Sequence, residues 1–356
     1  MLKAEELFQN ITDKNHPDET VLTIIQGKGT LPREQAGRNI HYDDASLSNY
    51  KRVEQGDFII HLRSFEGGLE MANEAGIVSP AYTILRCKRP HASLFYDAYF
   101  HTDEFINHNL SKSVEGIRDG RQISYEAFKW LGIPYCEPTE QEKISSLFSV
   151  LNERITKQRD LIESLKKYKR GAVAHILSGK SVAFTVTSSW TEHTLSELCT
   201  EFRSGRNISA TLIHQNGNYP VYGGNGIRGY CNQYSHDGEY VVVGRQGALC
   251  GNVRLIQGKN YLSEHAIAVQ ANEANETKFL LYLLDYMKLG QYSDQGAQPG
   301  LAVNKLLRLK CMVPDKQTQI KIASFLMSFD FQISTQERML MLLNCQRRAL
   351  LQQLFI

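Results

Sequence analysis

The chain has 356 residues, a formal net charge of +2 and 42% hydrophobic residues. This content is enough for buried cores. The balanced charge excludes a globally basic chain, so any nucleic-acid binding must come from local patches or from partners. No run of 18 apolar residues and no signal-peptide pattern occurs, which predicts a cytoplasmic protein. The seven scattered cysteines lack a CxxC pair and indicate neither a disulfide framework nor a zinc site.

Residues 1–133 are predicted to form a first α+β domain. Strand-like runs at 21–25, 58–62 and 82–85 alternate with glycine-rich turns. Asp18, followed by Gln26-Gly27-Lys28, faintly resembles the metal-binding core of nucleases, but only one carboxylate is suitably placed. We therefore predict no metal site and no catalytic residue.

Two long helices are predicted at 134–179 and 313–356. The segment 141–177 returns without a gap as 319–355, an offset of 178 residues, half the chain. Both copies place apolar residues at alternating steps of four and three, ending at Ile176 and Leu354, which is the seam of a coiled coil. The pattern predicts a helix of about 33 residues within each segment, with Pro138 just before the first helix. Because a compact domain with neighbouring termini lies between them, we expect the helices to pair antiparallel and the C-terminus to lie beside the first domain.

Polar residues interrupt both seams at matching positions. Gln158 and Gln336 occupy one such pair, and Lys169 and Arg347 the other. They either specify the register or flank a solvent-facing part of the seam. The first helix also carries a basic stretch, which is either a solvated face or a phosphate-binding patch: Arg154, Lys157, Arg159, Lys166, Lys167, Lys169 and Arg170.

Residues 180–312 are predicted to form a second α+β domain, with strands near 240–244, 252–256 and 266–270 and a helix near 278–289. Two segments match the sequences of known nucleotide-binding motifs but lack the strand or helix that those motifs require. Residues 174–181 fit a loose P-loop, but Gly179 follows a long helix instead of a strand. Residues 224–229 spell GxGxxG without a following helix, which predicts a glycine-rich turn, and a second turn is predicted at 244–247. We predict that neither binds a nucleotide.

The sequences around the helices carry a family resemblance. The helices begin with IPYCEPTEQEKIS (133–145) and MVPDKQTQIKIA (312–323). The second domain contains YPVYGGNGIRGY (219–230) and DGEYVVVGRQGALCGNV (237–253), and the first contains VLTIIQGKGTLPRE (21–34). With these motifs the chain resembles the specificity subunit of type I restriction-modification systems over nearly its whole length. It departs from the family at Thr318, where an acidic residue is common, and in the short arm before the first domain.

The resemblance implies an α+β, pseudo-two-fold symmetric fold in which two target-recognition domains alternate with two helices of an antiparallel coiled coil. Each domain would read one half of a bipartite, asymmetric double-stranded DNA site. The helices would set the spacing and dock two methyltransferase subunits, which translocase-nuclease subunits join. S-adenosylmethionine, ATP and Mg²⁺ would belong to those partners, and this chain would be non-catalytic.

Base reading requires arginine, amide and aromatic side chains on loops that can approach the DNA closely. In the second domain the candidates are Tyr222, Asn225, Arg228, Tyr230, Arg245, Gln246 and Gln298. In the first domain they are Lys28, Arg33, Arg63, Ser64, Arg121 and Gln122. Two alternatives remain: a specificity subunit of a methyltransferase-only system, and a catalytic nuclease or methyltransferase, for which no motif is found.

Overall fold

The computed structural model describes residues 1–36, 44–116, 122–179, 189–247, 249–294 and 300–355. The chain divides into two compact units: Met1–Arg159 together with Arg338–Ile356, and Asp160–Glu337. Within the described ranges, no helix is long and apolar enough to cross a membrane.

The first unit is built from short strands around an aromatic core. Its strands are β1 (Leu2–Lys3), β2 (Phe8–Ile11), β3 (Leu22–Ile25), β4 (Gly29–Pro32), β5 (Lys51–Val53), β6 (Phe58–Ile60), β7 (Glu70–Met71), β8 (Gly76–Val78), β9 (Thr83–Cys87), β10 (Val114–Glu115), β11 (Gln122–Ile123) and β12 (Gly132–Ile133). Its helices are α1 (Ala4–Leu7), α2 (Ser64–Gly67), α3 (Ser93–Phe100), α4 (Tyr125–Phe128) and the start of α5 (Pro138–Leu177).

The main sheet of this unit is antiparallel, in the order β2-β9-β6-β7. Tyr96 and Phe100 of α3 pack against Phe8 and Phe58 of the sheet, with ring centroids 5.0–6.3 Å apart. Such aromatic contacts add to the burial of large apolar surfaces. This core forms a base from which the β3–β4 hairpin and the loop before α2 extend.

The second unit has longer strands. They are β13 (Thr191–Thr194), β14 (Cys199–Ser204), β15 (Tyr219–Gly223), β16 (Gly226–Cys231), β17 (His236–Gly244), β18 (Val253–Leu262), β19 (Ala266–Ala271) and β20 (Lys310–Val313). Its helices are α6 (Leu195–Leu198), α7 (Thr277–Tyr286), α8 (Val303–Leu306) and most of α9 (Lys316–Phe355).

The large sheet of the second unit has the order β14-β19-β17-β18-β15-β16. Its pairs are antiparallel except β15 with β18, which run parallel. Phe279 and Leu283 of α7 are buried against Val241 and Val269 of the sheet. The β15–β16 hairpin lies at one edge and carries the glycine-rich turn that the sequence indicated.

The two long helices pair antiparallel, as predicted. In the first unit Phe148 stacks near Phe355, and Leu151 and Ile155 are buried with Leu343. In the second unit Lys166 Nζ lies 3.0 Å from Glu337 Oε1. As the residue number rises along α5 it falls along α9, which confirms the antiparallel coiled coil.

Lys169 and Arg347, two of the predicted polar seam residues, form contacts that repeat with the 178-residue offset. Lys169 Nζ donates to Asp330 Oδ1, and Arg347 Nε donates to Asn152 Oδ1 at 2.9 Å. Lys169 is equivalent to Arg347, and Asn152 is equivalent to Asp330. Because each polar group has its partner in only one register, the pairs favour register specification over a solvent-facing seam.

A buried glutamine at the start of each long helix forms the same contacts in both units. Gln141 Oε1 accepts the N–H of Ala92 (3.1 Å), and its Nε2 donates to the carbonyl of Cys136 (2.8 Å). The equivalent Gln319 Oε1 accepts the N–H of Glu276 (3.0 Å), and its Nε2 donates to the carbonyl of Pro314 (2.9 Å). Ala92 and Glu276 each precede the first residue of a domain helix, α3 and α7. Each glutamine therefore ties a long helix to the N-terminus of a domain helix.

Several details differ from the sequence-based predictions. Each long helix has 40 residues instead of about 33, and Pro138 is the first residue of α5, where its missing N–H costs no intrahelical bond. Leu354 was predicted on the seam but is 40% exposed. Leu351 and Phe355 are buried instead, because the last turn packs on the core of the first unit, where Phe355 contacts Phe95 and Tyr99. That contact confirms the predicted position of the C-terminus.

Candidate nucleic-acid interface

Two predicted reading loops of the second domain meet in the structure. A side chain at Gly224, in the β15–β16 turn, would place Cβ 2.5 Å from the carbonyl oxygen of Gln246. A side chain at Gly244 would collide with the carbonyl oxygen of Gly224. Only glycine permits this approach of two backbones, so the β15–β16 turn and the segment after β17 form one surface.

The side chains on this surface are polar and positively charged. Asn225 and Arg228 are exposed, and Arg245 and Gln246 are half-buried. Arg245 Nη1 donates to the carbonyl of Glu264 (3.3 Å). Such groups can present donors and acceptors to the edges of bases.

Sequence reasoning missed two residues at the same surface. The guanidinium of Arg254 lies beside the turn, since a Cβ at Gly226 would be 2.6 Å from its Nη1. Gln246 Oε1 lies 2.6 Å from His265 Nδ1, so His265 orients this amide. Tyr222, Asn225 and Arg254 line a small cavity of about 150 Å³. Neither residue has a sequence signal, because Arg254 lies on β18 and His265 lies in the turn between β18 and β19, outside the two predicted loops.

The two predicted tyrosines are less accessible than the charged candidates. Tyr222 packs partly against a buried cluster that includes Tyr240 and Ile256. Tyr230 is half-buried, and its backbone exchanges hydrogen bonds with His214. Gln298 lies outside the described residues. The charged and amide side chains are thus the accessible part of the prediction in this domain.

In the first domain the predicted residues are distributed over separate loops. Lys28 is exposed in the β3–β4 turn, Arg63 is exposed before α2, and Arg33 is half-buried after β4. The loop of α2 lies beside the β3–β4 turn, since a side chain at Gly67 would collide with the amide of Gln26. These residues remain predictions, and the structure places Lys28 and the α2 loop in one region.

Three further candidates of the first domain have different surroundings. Ser64 is fully buried, and its hydroxyl accepts the N–H of His61 (2.9 Å), so it closes the turn before α2 instead of facing solvent. Gln122 is exposed on β11. Arg121 lies outside the described residues.

A buried carboxylate holds the β3–β4 turn. The N–H of Gly27 donates to Glu70 Oε1 (2.6 Å), and the N–H of Gly29 donates to Glu70 Oε2 (2.9 Å). Burial raises the pKa of Glu70, but hydrogen bonds from His101 and the two glycine N–H groups outweigh it, so its pKa is lower than usual. No sequence motif indicates Glu70, because it lies 43 and 41 residues along the chain from the two glycines whose N–H groups it accepts.

The motifs that resemble catalytic sites have other roles. Residues 224–229 belong to the hairpin between β15 and β16, and Gly179, with φ +70°, follows the end of α5. Residues 224–229 lead into β16 and not into a helix that could bind phosphate. Residues 180 and 181 of the P-loop-like segment lie outside the described residues. Among the described residues, no three His, Cys, Asp or Glu side chains are grouped as a metal site.

The basic stretch of α5 is partly neutralised within the helices. Lys157 Nζ lies 2.6 Å from Glu153 Oε1, and Lys166 Nζ contacts both Glu163 and Glu337. These exposed pairs favour a solvated face over a phosphate-binding patch.

Known proteins are similar to part of this chain in sequence and to the whole chain in fold. The family described as Type I restriction modification DNA specificity domain matches residues 187–341. The EcoprrI type I restriction enzyme specificity subunit of Escherichia coli is 46% identical over 141 residues, which cover 38% of this chain and 35% of that protein. A putative type I specificity subunit of Mycoplasma pneumoniae is 28% identical over 141 residues, covering 38% and 46%.

The fold is similar over a longer span. The crystal structure of the type I restriction-modification S subunit of M. genitalium superposes with a TM-score of 0.67 at 17% identity, covering 100% of this chain and 95% of that one. The chain thus has the architecture of type I specificity subunits, and the sequence matches to the curated relatives span only about a third to a half of their lengths. Residues 187–341 thus match the type I specificity domain in sequence, and the whole chain is similar in fold to a type I S subunit.

Proposed function

We propose that the chain is the DNA-recognition subunit of a type I restriction-modification complex. The observation that carries this proposal is the convergence of two glycine-rich loops in the second domain, where Asn225, Arg228, Arg245 and Gln246 share one surface. Arginine can bind guanine in a bidentate manner, and asparagine or glutamine can bind adenine in the same way. The second domain therefore reads one half-site through these loops.

The first domain reads the other half-site through different residues. Its exposed cations, Lys28 and Arg63, belong to the β3–β4 turn and the α2 loop, which are unlike the loops of the second domain. Two readers with different side chains recognise two different base sequences, so the site is bipartite and asymmetric. The long helices set the number of base pairs between its halves.

The long helices also bind protein partners. Large apolar side chains are exposed along both helices: Leu147 (44%), Val150 (66%), Leu161 (44%), Tyr168 (68%), Phe325 (44%), Phe331 (74%), Met341 (58%) and Leu342 (54%). Exposed apolar patches are typical of protein interaction sites. We infer that two methyltransferase subunits bind here, and that translocase-nuclease subunits join this core.

The chemistry belongs to those partners. S-adenosylmethionine, ATP and Mg²⁺ act in the partner subunits, and this chain contributes the reading of DNA in the cytoplasm. Purified chain supplied with all three should therefore neither methylate nor cleave DNA. Methylation or cleavage activity that copurifies with the chain through several chromatographic steps would contradict a role limited to DNA recognition.

Methylation mapping tests the proposal directly. Cells that carry the chain with its methyltransferase should methylate a two-part, asymmetric motif with a spacer of fixed length. A continuous motif, a palindrome or methylation without sequence preference would contradict it. Challenge of the same cells with unmodified phage DNA distinguishes a restricting complex from a methyltransferase-only system.

A further inference from the structure

The β3–β4 turn of the first domain is held from two sides. Glu70 accepts the N–H groups of Gly27 and Gly29, both of which have positive φ (73° and 77°). On the other side, Asn73 Nδ2 donates to the carbonyl of Lys28 (2.8 Å). The backbone before, at and after Lys28 is therefore fixed by hydrogen bonds to residues more than 40 positions away.

The carboxylate that holds the turn is fully buried and charge-compensated. Glu70 has no solvent exposure, and its Oε1 lies 3.3 Å from His101 Nε2. Burial lowers the pKa of His101, but the hydrogen bond to Glu70 and the nearby Asp97 outweigh this and raise it to about 9. A buried ion pair is a costly way to close a hairpin, which indicates that the shape of this turn has a use beyond stability.

The turn presents a cation to solvent. Lys28 is exposed, and within the described part of the chain its ammonium forms no ion pair. Gln26 precedes it on the same turn and is also exposed. A lysine on a rigid backbone loses less conformational freedom on binding than one on a flexible loop.

We propose that Glu70 is a positioning residue for DNA recognition by the first domain: it holds the β3–β4 turn in the shape that brings Lys28 to the DNA of the first half-site. This inference rests on the proposed function, since it requires that the first domain reads DNA. Glu70 itself does not touch DNA. It acts through the backbone of Gly27 and Gly29.

The variants Glu70→Gln and Lys28→Ala test this role in the full chain. Glutamine keeps the size of Glu70 but has one acceptor oxygen, so it cannot accept both glycine N–H groups in the same way. Asn73→Ala releases the turn from its other side without changing a buried charge. Binding of each variant is measured on duplexes with both half-sites, with the first scrambled and with the second scrambled.

On duplexes that contain the first half-site, we expect each variant to bind about 10-fold more weakly, with a salt slope lower by about one, as expected for one lost phosphate contact. The double variant Glu70→Gln, Lys28→Ala should bind no more weakly than Lys28→Ala alone. On duplexes with only the second half-site, all variants should match the unchanged chain, which shows that they are folded.

Three results would overturn the inference. Asn73→Ala and Glu70→Gln could leave binding to the first half-site unchanged, or Lys28→Ala could leave it unchanged. In the third, the losses of affinity caused by Glu70→Gln and Lys28→Ala add up in the double variant. Equal loss on both half-sites would show that Glu70 only stabilises the fold. If the unchanged chain prefers neither half-site, the proposed function itself fails, which is a different result from any of these.

Discussion

The two units use the same residue type to attach their long helices, but different contacts hold the loops that we propose to read DNA. Gln141 and Gln319 each accept an N–H at the start of a domain helix and donate to a carbonyl five residues earlier. By contrast, the β3–β4 turn is held by the buried Glu70, whereas the β15–β16 turn is held by close backbone approach at Gly224. The duplicated architecture is thus retained where the helices join the domains and has diverged where the domains would meet DNA.

The largest expected effect comes from the shared anchor. Gln141→Leu and Gln319→Leu keep the side-chain volume but leave a buried N–H and a carbonyl without a partner. Each orphaned group costs about 1–3 kcal/mol, so both variants should lower the free energy of unfolding by similar amounts. Denaturant titration of the full chain checks this, with the exposed Gln346→Leu as the control. A loss at only one of the two positions would show that the shared contacts have unequal roles.

The next effect separates the two reading surfaces. Gly224→Ala would force the β15–β16 turn away from Gln246, so both loops of the second domain lose their shape. Affinity for the second half-site should fall about 100-fold, as if two base contacts were lost, while recognition of the first half-site is retained. The control is Gly171→Ala, because Gly171 has open space around its Cα and lies within α5. Unchanged second-site binding in Gly224→Ala would remove this turn from the reading surface.

Single side chains of the second domain should have a smaller effect. Arg245→Ala or Gln246→Ala should each cost about 1–3 kcal/mol at one position of the second half-site and relax discrimination there. Competition binding with duplexes that differ at single base pairs measures this. If neither variant alters affinity or base preference, these two residues do not read bases.

The smallest effect concerns the repeated seam pairs. Asp330→Asn replaces the carboxylate that Lys169 contacts with an amide, the group that Arg347 contacts in the first unit. Asn152→Asp makes the opposite change and gives Arg347 a carboxylate partner. Partly exposed ion pairs contribute up to about 1 kcal/mol, so the two changes should shift stability slightly and in opposite directions. Thermal unfolding of the two variants provides the measurement. Shifts of the same sign would show that the two pairs are not equivalent.

The helices and their pairing could be predicted because both follow from local periodicity and from a repeat within the chain. Gly224 and Gly244 were identifiable as turn residues, but not the contact between their backbones. Glu70, Asn73 and His265 could not be predicted, because each acts on a loop from a distant part of the chain. Leu354 was placed on the seam wrongly, since the heptad pattern carries no information about the domain core on which the last turn packs.

One measurement tests most directly whether the helices separate two independent readers. One heptad inserted after Glu163 and one after Met341 preserve the seam and lengthen each helix by about 10 Å. Since DNA rises about 3.4 Å per base pair, methylation mapping should show a spacer about three base pairs longer between unchanged half-sites. An unchanged spacer in an active complex, or altered half-sites, would contradict the account.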